Sequence, residues 1–427
     1  MNILITGATG FIGSHITQAL IQEGHRVRAC VRNPAAIHRQ WPNLEAVKVD
    51  FNSDHQVSDW IPRLENIDIV INSVGIIRET ATQTFDALHT AAPCALFMAC
   101  EQAGVEKVIQ ISALGADITA FSQYHRSKRA ADECLMALAL DWAILLPSIT
   151  YGPGAKSMAL FRALASLPLV PLVDKGDQPV QPVHVEDLVR TVMRLIQPET
   201  PNRIRIELVG PRAISLKEIS LQLRHWLGLG KARFVHIPYR LALLAGRVGG
   251  FLGNTPMTAE TIQMLRRGNT ADVDPFVKQF GFIPISFEES LADTPSQQAD
   301  RWHAGLCLLR PILRLSIAFL WIITGVVSAF IFPTEQSYGM LAEAGITGIW
   351  SPILLYGAAT TDFALGMATL FAVRLPLVGL TQILVILLYS VIITFSQPQL
   401  WAHPFGPVTK NLPLLIATLV MLVLERR

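Results

Sequence analysis

The chain has 427 residues, enough for two or three folded units, of which 51% are apolar and 16% charged, with a formal net charge of +2. No basic cluster resembles a helix, finger or arm that would neutralise a row of phosphates, which excludes nucleic acid as a partner. Five cysteines (Cys30, Cys94, Cys100, Cys134 and Cys307) lack CxxC spacing and companion histidines, so no metal centre is expected and they read as small buried apolar side chains.

Charge is spread unevenly. Residues 1–304 alternate apolar and polar runs, whereas 311–424 are almost uncharged, so a soluble half precedes a lipid half. Met1 leads directly into Asn-Ile-Leu-Ile-Thr, a strand with no charged n-region before it, so the N-terminal half is expected to stay in the cytoplasm.

In chain order, β-rich runs at 2–6, 26–31, 46–49, 67–71, 107–111 and 142–146 are separated by helix-length amphipathic segments. That alternation predicts an α/β fold with a doubly wound parallel sheet of Rossmann type. The first strand runs into Thr6-Gly7-Ala8-Thr9-Gly10-Phe11-Ile12-Gly13 and then a helix with apolar Ile12, Ile16, Leu20 and Ile21. This is the setting of a phosphate-binding turn. Gly7 permits the tight turn, Gly10 lets the main chain approach a pyrophosphate, and Gly13 lets helix pack on strand, while Thr9, Phe11 and Ile12 supply the N–H groups of the helix start. The second strand ends in Val31-Arg32-Asn33-Pro34. An acid at that point would bond the ribose hydroxyls of NAD, and an arginine pairs with the extra phosphate, so NADP(H) is preferred over NAD(H). The other reading of Arg32 is an ordinary solvated charge.

The GxxGxxG spacing resembles the short-chain dehydrogenase/reductase superfamily, above all its extended and atypical branches. Tyr124-His-Arg-Ser-Lys128 matches the YxxxK motif, and Ser112 stands twelve positions earlier, where the superfamily has its catalytic serine. Tyr124 and Lys128 fall one turn apart on a helix, so the ammonium can favour the phenolate while the tyrosine exchanges a proton with substrate. The resemblance implies catalytic Ser112, Tyr124 and Lys128, with Lys128 also anchoring the ribose. It implies cofactor contacts at Asp50 and Phe51, at Asn72-Ser73-Val74-Gly75, and at Pro147 and Ile149 ahead of Tyr151-Gly-Pro-Gly154. Taken alone, Asp50 also reads as a strand-end turn residue and Asn72 as a loop former. Two positions depart from the usual pattern: His89 aligns with the relay asparagine, and Leu146 with an arginine. These, with Ser-Ala-Leu-Gly-Ala116 and Gln181-Pro-Val-His-Val-Glu-Asp187, resemble relatives of the nucleotide-binding accessory subunit of respiratory complex I, a group known more for holding a dinucleotide than for turning it over.

The Rossmann domain is thus expected over 1–151 and a small substrate lobe over 152–293. In that lobe Tyr239 to Leu252 is amphipathic and reads as a core helix, or as a surface touching lipid near the site. A linker over 294–310 includes the polar run Thr294 to Asp300. Then 311–332, 352–373, 377–395 and 412–424 give four expected spans, an all-α transmembrane bundle over 311–427. Arg301, Arg310, Arg314, Arg374, Arg426 and Arg427 fall on one side, and Glu335, Glu343 and Lys410 on the other. That bias implies a bacterial-type inner membrane protein with cytoplasmic N-domain and tail. With Trp401-Ala-His-Pro-Phe-Gly-Pro-Val-Thr-Lys-Asn411, this half resembles the DoxX-like four-helix family. Asp362 within a span reads equally as a protonated interhelical hydrogen-bonding group or as part of a proton or quinone site.

Two functions follow. One is a membrane-anchored NADP(H)-dependent oxidoreductase acting on a lipophilic or quinone-like substrate, possible partners being the bilayer and other membrane oxidoreductase subunits. The other is a nucleotide-binding scaffold or redox sensor of a membrane complex.

Overall fold

The structure, a computed structural model, describes residues 1–198, 200–251 and 258–425. Seven strands, β1 (Asn2–Thr6), β2 (Arg26–Val31), β3 (Glu45–Lys48), β4 (Ile69–Asn72), β5 (Lys107–Ile111), β6 (Asp141–Pro147) and β7 (Ile204–Leu208), form one sheet of order β7-β6-β5-β4-β1-β2-β3. All its pairings are parallel. The six strands expected from sequence are present within two residues at each end. Central strands buried on both faces need continuous apolar runs, and Ile3-Leu4-Ile5 and Ile69-Val70-Ile71 are all buried.

Helices cover both faces. On one, Ile16 and Leu20 of α1 (Phe11–Gln22) cluster with Ile3, Ile5 and Ile71; on the other, Leu96 and Phe97 of α2 (Ala92–Ala103) and Leu135 of α3 (Gln123–Met136) cluster with Leu4, Val70 and Val108.

The expected lobe over 152–293 is not set apart from the sheet. β7 comes from inside it, and so does α4 (Val185–Leu195), whose Leu188, Val192 and Leu195 join the same core as α1. Ile204-Arg-Ile-Glu-Leu208 alternates burial because it forms the sheet edge, which hides it from a search for fully apolar runs. The remainder makes short two-stranded ladders, a helical core around Ile214, Ile219 and Phe287, and the packed pair α5 (Tyr239–Phe251) and α6 (Ala259–Arg267). Leu252, the last residue of the amphipathic run, lies outside the described residues.

The chain divides into compact units at Ala304 and Gly305. Only 294–297 of the expected linker is non-helical, since α7 (Gln298–Val326) starts at once and runs through Pro311. Among the described residues three helices are long and apolar enough to cross a membrane: α7 with its continuation to Ile331, α8 (Trp350–Leu370) and α9 (Leu375–Ser396). The fourth expected span also forms an apolar helix. This last helix, α10 (Asn411–Glu425), has 15 residues among those described. Arg426 and Arg427, counted towards the charge bias, lie outside the described residues.

Within the second unit, backbones approach at glycine. A Cβ on Gly325 would stand 2.6 Å from the carbonyl oxygen of Ala359, and one on Gly366 would stand 2.7 Å from the Ile322 nitrogen. Asp362 is buried and accepts a hydrogen bond from the Tyr389 hydroxyl (3.3 Å), and the Gln382 amide donates to Thr369 Oγ1 (2.8 Å), so these polar groups are held between α8 and α9. Gly325→Val should therefore cost about 1 to 3 kcal/mol of overpacking and lower the melting temperature in detergent. Gly357→Val, at a site with nothing within 4 Å, should leave it unchanged, and equal effects of the two would refute the close approach.

Candidate cofactor and active site

The site is built on the carboxyl edge of the sheet, where strands give way to loops in an α/β fold. The chain leaves β1 at Thr6 and turns at Gly7, whose φ of +73° and 2.8 Å gap from a built Cβ to Ser73 Oγ admit only glycine. A Cβ on Gly13 would stand 2.1 Å from the Gly7 carbonyl oxygen, so helix and turn touch through main chain. Gly10 donates its N–H to that same oxygen (2.8 Å) and otherwise has open space. Thr9 and Gly10 are exposed, and α1 begins with neither a side-chain cap nor an acidic residue in its first turn. An uncapped helix start ahead of a glycine turn fits a phosphate. Phe11 packs edge-on to His15 and against the lobe core, and Ile12 packs on the sheet core.

Arg32, just past β2, is exposed and has no ion-pair partner among the described residues. Asp50 Oδ1 accepts from the main-chain and side-chain nitrogens of Asn52, so this carboxylate shapes its own turn. The Phe51 ring is buried edge-on against Trp60, which leaves only its main chain for a ligand.

Asn72, at the end of β4, turns its side chain into the sheet. It is 1% exposed, its Oδ1 accepts from Thr6 Oγ1 (2.6 Å) and its Nδ2 donates to Gln110 Oε1 (2.7 Å), a polar ladder across β1, β4 and β5. Ser73 donates to the Thr6 carbonyl (2.6 Å). The Val74 carbonyl accepts from Lys128 Nζ (3.0 Å), and a Cβ on Gly75 would come within 3.2 Å of that nitrogen. Further round, the Pro147 carbonyl is bonded by Leu114 N–H and the Ile149 N–H by Asn269, so those two residues can offer only side chains.

Tyr124 and Lys128 lie one turn apart on α3, which Ser122 caps by accepting from His125 N–H (3.1 Å). Lys128 is buried, and its ammonium donates to the Val74 carbonyl and to the Ile111 carbonyl (3.1 Å), pinned between the ends of β4 and β5. Half-buried Tyr124 packs among Phe85, His89 and His125. Burial, helped by the Asp132 carboxylate, pushes its phenol up to about 12, which keeps it protonated at neutral pH. Ser112 is buried and donates its hydroxyl to Asp132 Oδ2 (2.6 Å), which leaves its oxygen to accept from a ligand.

His89 occupies the relay position, yet both ring nitrogens are engaged. Nε2 accepts from Ile76 N–H (2.9 Å), so Nδ1 carries the proton and donates to Ser127 Oγ (2.9 Å), which donates on to the Tyr124 carbonyl. Burial, with the Lys128 charge, pushes His89 down to about 2, so it stays neutral.

Asp132 was not singled out from sequence. The available signal was its spacing, since Tyr124, Lys128 and Asp132 recur every four residues along one helix stripe. Burial raises its carboxyl and lowers the Lys128 ammonium, while each charge favours the other. Asp132→Asn should remove that support, and a buried cation left without its counter-charge is strongly destabilising. Because a depressed lysine costs the folded state most below its folded pKa and nothing above its unfolded value, the loss of melting temperature should be largest near about pH 7 and shrink towards about pH 10. A loss independent of pH would exclude the coupling.

Comparison with known proteins agrees with this architecture. Residues 7–160 match the NAD(P)H-binding family, and residues 318–419 the DoxX-like family. The chain is 29% identical over 259 residues to a ceramide reductase of Caulobacter vibrioides, covering 60% of this chain and 80% of that one. It is 25% identical over 288 residues to the mitochondrial NADH dehydrogenase [ubiquinone] 1 alpha subcomplex subunit 9 of Arabidopsis thaliana, covering 64% and 70%. Among solved structures, an Escherichia coli NADPH-dependent quinone oxidoreductase superposes with a TM-score of 0.55 at 17% identity, covering 68% of this chain and 99% of that one, a likeness of fold. Fold and matches define an NAD(P)H-binding domain of the short-chain dehydrogenase/reductase type. In this chain that domain is followed by a DoxX-like membrane domain.

Proposed function

We propose that the protein is an NADP(H)-dependent oxidoreductase of the atypical short-chain type, acting on a lipophilic or quinone-like substrate at the cytoplasmic face of a bacterial-type inner membrane. The observation that carries the reading is the Tyr124–Lys128 pair on α3, its ammonium fixed at the carboxyl ends of β4 and β5, on the same sheet edge as the open glycine turn. The turn at Gly7 to Gly13, with the N–H groups of Thr9, Phe11 and Ile12, receives the pyrophosphate; Arg32 pairs with the 2′-phosphate; Lys128 has one remaining donor for the ribose. A bound nicotinamide supplies hydride to a carbonyl carbon or takes it from a carbinol. Tyr124, protonated at neutral pH, gives the carbonyl oxygen its proton in the reducing direction, and Ser112 accepts from the resulting hydroxyl. Residues 152–293 supply the wall against which substrate rests. The ceramide reductase relative supports a lipophilic substrate.

A second reading is a nucleotide-holding subunit. It is favoured by His89, which is neutral with both nitrogens engaged and so replaces a relay residue by a structural one, and by the likeness to a complex I subunit.

The two readings part at Tyr124, whose hydroxyl serves proton transfer but not dinucleotide binding. In Tyr124→Phe the oxidoreductase should lose at least about a hundredfold in turnover or in complementation of a deletion, with cofactor affinity nearly unchanged. Full complementation by Tyr124→Phe, alongside failure of Gly10→Asp, would make occupancy itself the function.

Cofactor choice has its own test. Arg32→Asp should weaken NADPH binding by about ten- to a hundredfold and invert the preference towards NADH. Equal affinities for the two nucleotides in the unmodified protein would rule out the role given to Arg32.

A further inference from the structure

We infer that the face formed by α5 and the loop ahead of α3 docks on an anionic lipid surface. α5 packs inwards through Ala242 and Gly246, where a Cβ on Gly246 would stand 2.7 Å from Ile262 of α6. Its outward positions are Arg240, Leu241, Leu244 and Arg247, with both leucines 56% exposed. No described element covers them. Guanidinium groups alternating with leucine along one helix face suit the boundary between phosphate headgroups and acyl chains, where cations bind anions and the leucines leave water.

The same face continues onto the loop ahead of α3. Arg267, at the end of α6, donates to the Thr119 carbonyl (3.0 Å) and lies over the Phe121 ring, while Arg266 lies over Tyr239 of α5. Next to Thr119, Ile118 is 83% exposed. Charge selects the partner. Over residues 239–267 and the loop ahead of α3 the charged side chains are Arg240, Arg247, Arg266 and Arg267 against Glu260 and Asp117, four positive to two negative. An anionic bilayer complements that excess, and the chain's own apolar helices hold it at a bilayer.

The face borders the candidate active site, because Glu260 in the first turn of α6 accepts a hydrogen bond from Tyr124 N–H (3.3 Å). Resting on the oxidoreductase reading, the inference names the substrate class: an amphiphile that passes from the lipid leaflet to Tyr124 beneath α6 without crossing bulk water.

The test uses the full chain reconstituted in phosphatidylglycerol-containing vesicles, in a background with Cys94, Cys134 and Cys307 replaced by Ala. A fluorophore is attached at Leu244→Cys, or for comparison at the exposed Ser58→Cys in the short helix Val57–Trp60, and the vesicles carry lipids with a shallow acyl-chain spin label. The label at 244 should lose more than about half its intensity, the label at 58 about a tenth or less, and the difference should disappear in Arg240→Glu/Arg247→Glu or in vesicles of phosphatidylcholine alone. Nucleotide binding equal to that of the parent checks that each variant is folded. Equal quenching at 244 and 58, or none at 244, would overturn the inference. So would a cross-link from 244 to another protein in native membranes without quenching in purified vesicles. Because quenching is read without turnover, docking with a silent Tyr124→Phe leaves this inference standing and removes the oxidoreductase reading, whereas turnover without quenching does the reverse.

Discussion

The site depends on one buried ammonium. Lys128 is an amine held inside a parallel sheet's edge, and a charge so placed is tolerable only when its protons are taken up by fixed acceptors. The acceptors are the carbonyls of Val74, two residues past β4, and Ile111, the last residue of β5. Gly75 must lack a side chain so that the main chain can lie beside the amine, and Asp132 supplies the opposing charge from one turn further along α3. Burial, with the same amine's charge, keeps His89 a neutral strut beneath Tyr124. Remove the ammonium and these positions lose their reason to be arranged as they are.

Around it the sheet edge is held by polar groups that face each other rather than solvent. Thr6, Asn72 and Gln110 form a ladder across three strands, and Ser73 ties the loop after β4 back to β1. This lattice keeps the glycine turn and the Tyr124 helix in register while leaving the start of α1 uncapped and the Arg32 guanidinium exposed. The second unit is built on glycine contacts and interhelical hydrogen bonds among apolar helices.

Much of this was readable in the residues, for identifiable reasons. β1, β4 and β6 announced themselves because both of their faces are buried, so they read as nearly unbroken apolar runs. The glycine turn was legible because strand before and helix after constrain it. β7 was not, since an edge strand alternates polar and apolar and resembles a lobe segment. Asn72 and Ser112 were placed correctly on their strand ends, but which way a small polar side chain turns depends on partners far away in sequence: Gln110 for one and Asp132 for the other. The last apolar helix was legible from its uncharged composition.

The central claim, that this sheet edge holds NADPH and spends it on a membrane-soluble acceptor, is tested most directly by purifying the full chain from its native membrane, identifying the nucleotide released on denaturation, and following oxidation of that nucleotide in the intact protein when native lipids or quinones are added. Close to one NADP(H) per chain, oxidised only when the lipophilic fraction is present, is the expected result. A protein that retains its dinucleotide unchanged with every lipid and quinone supplied would contradict it.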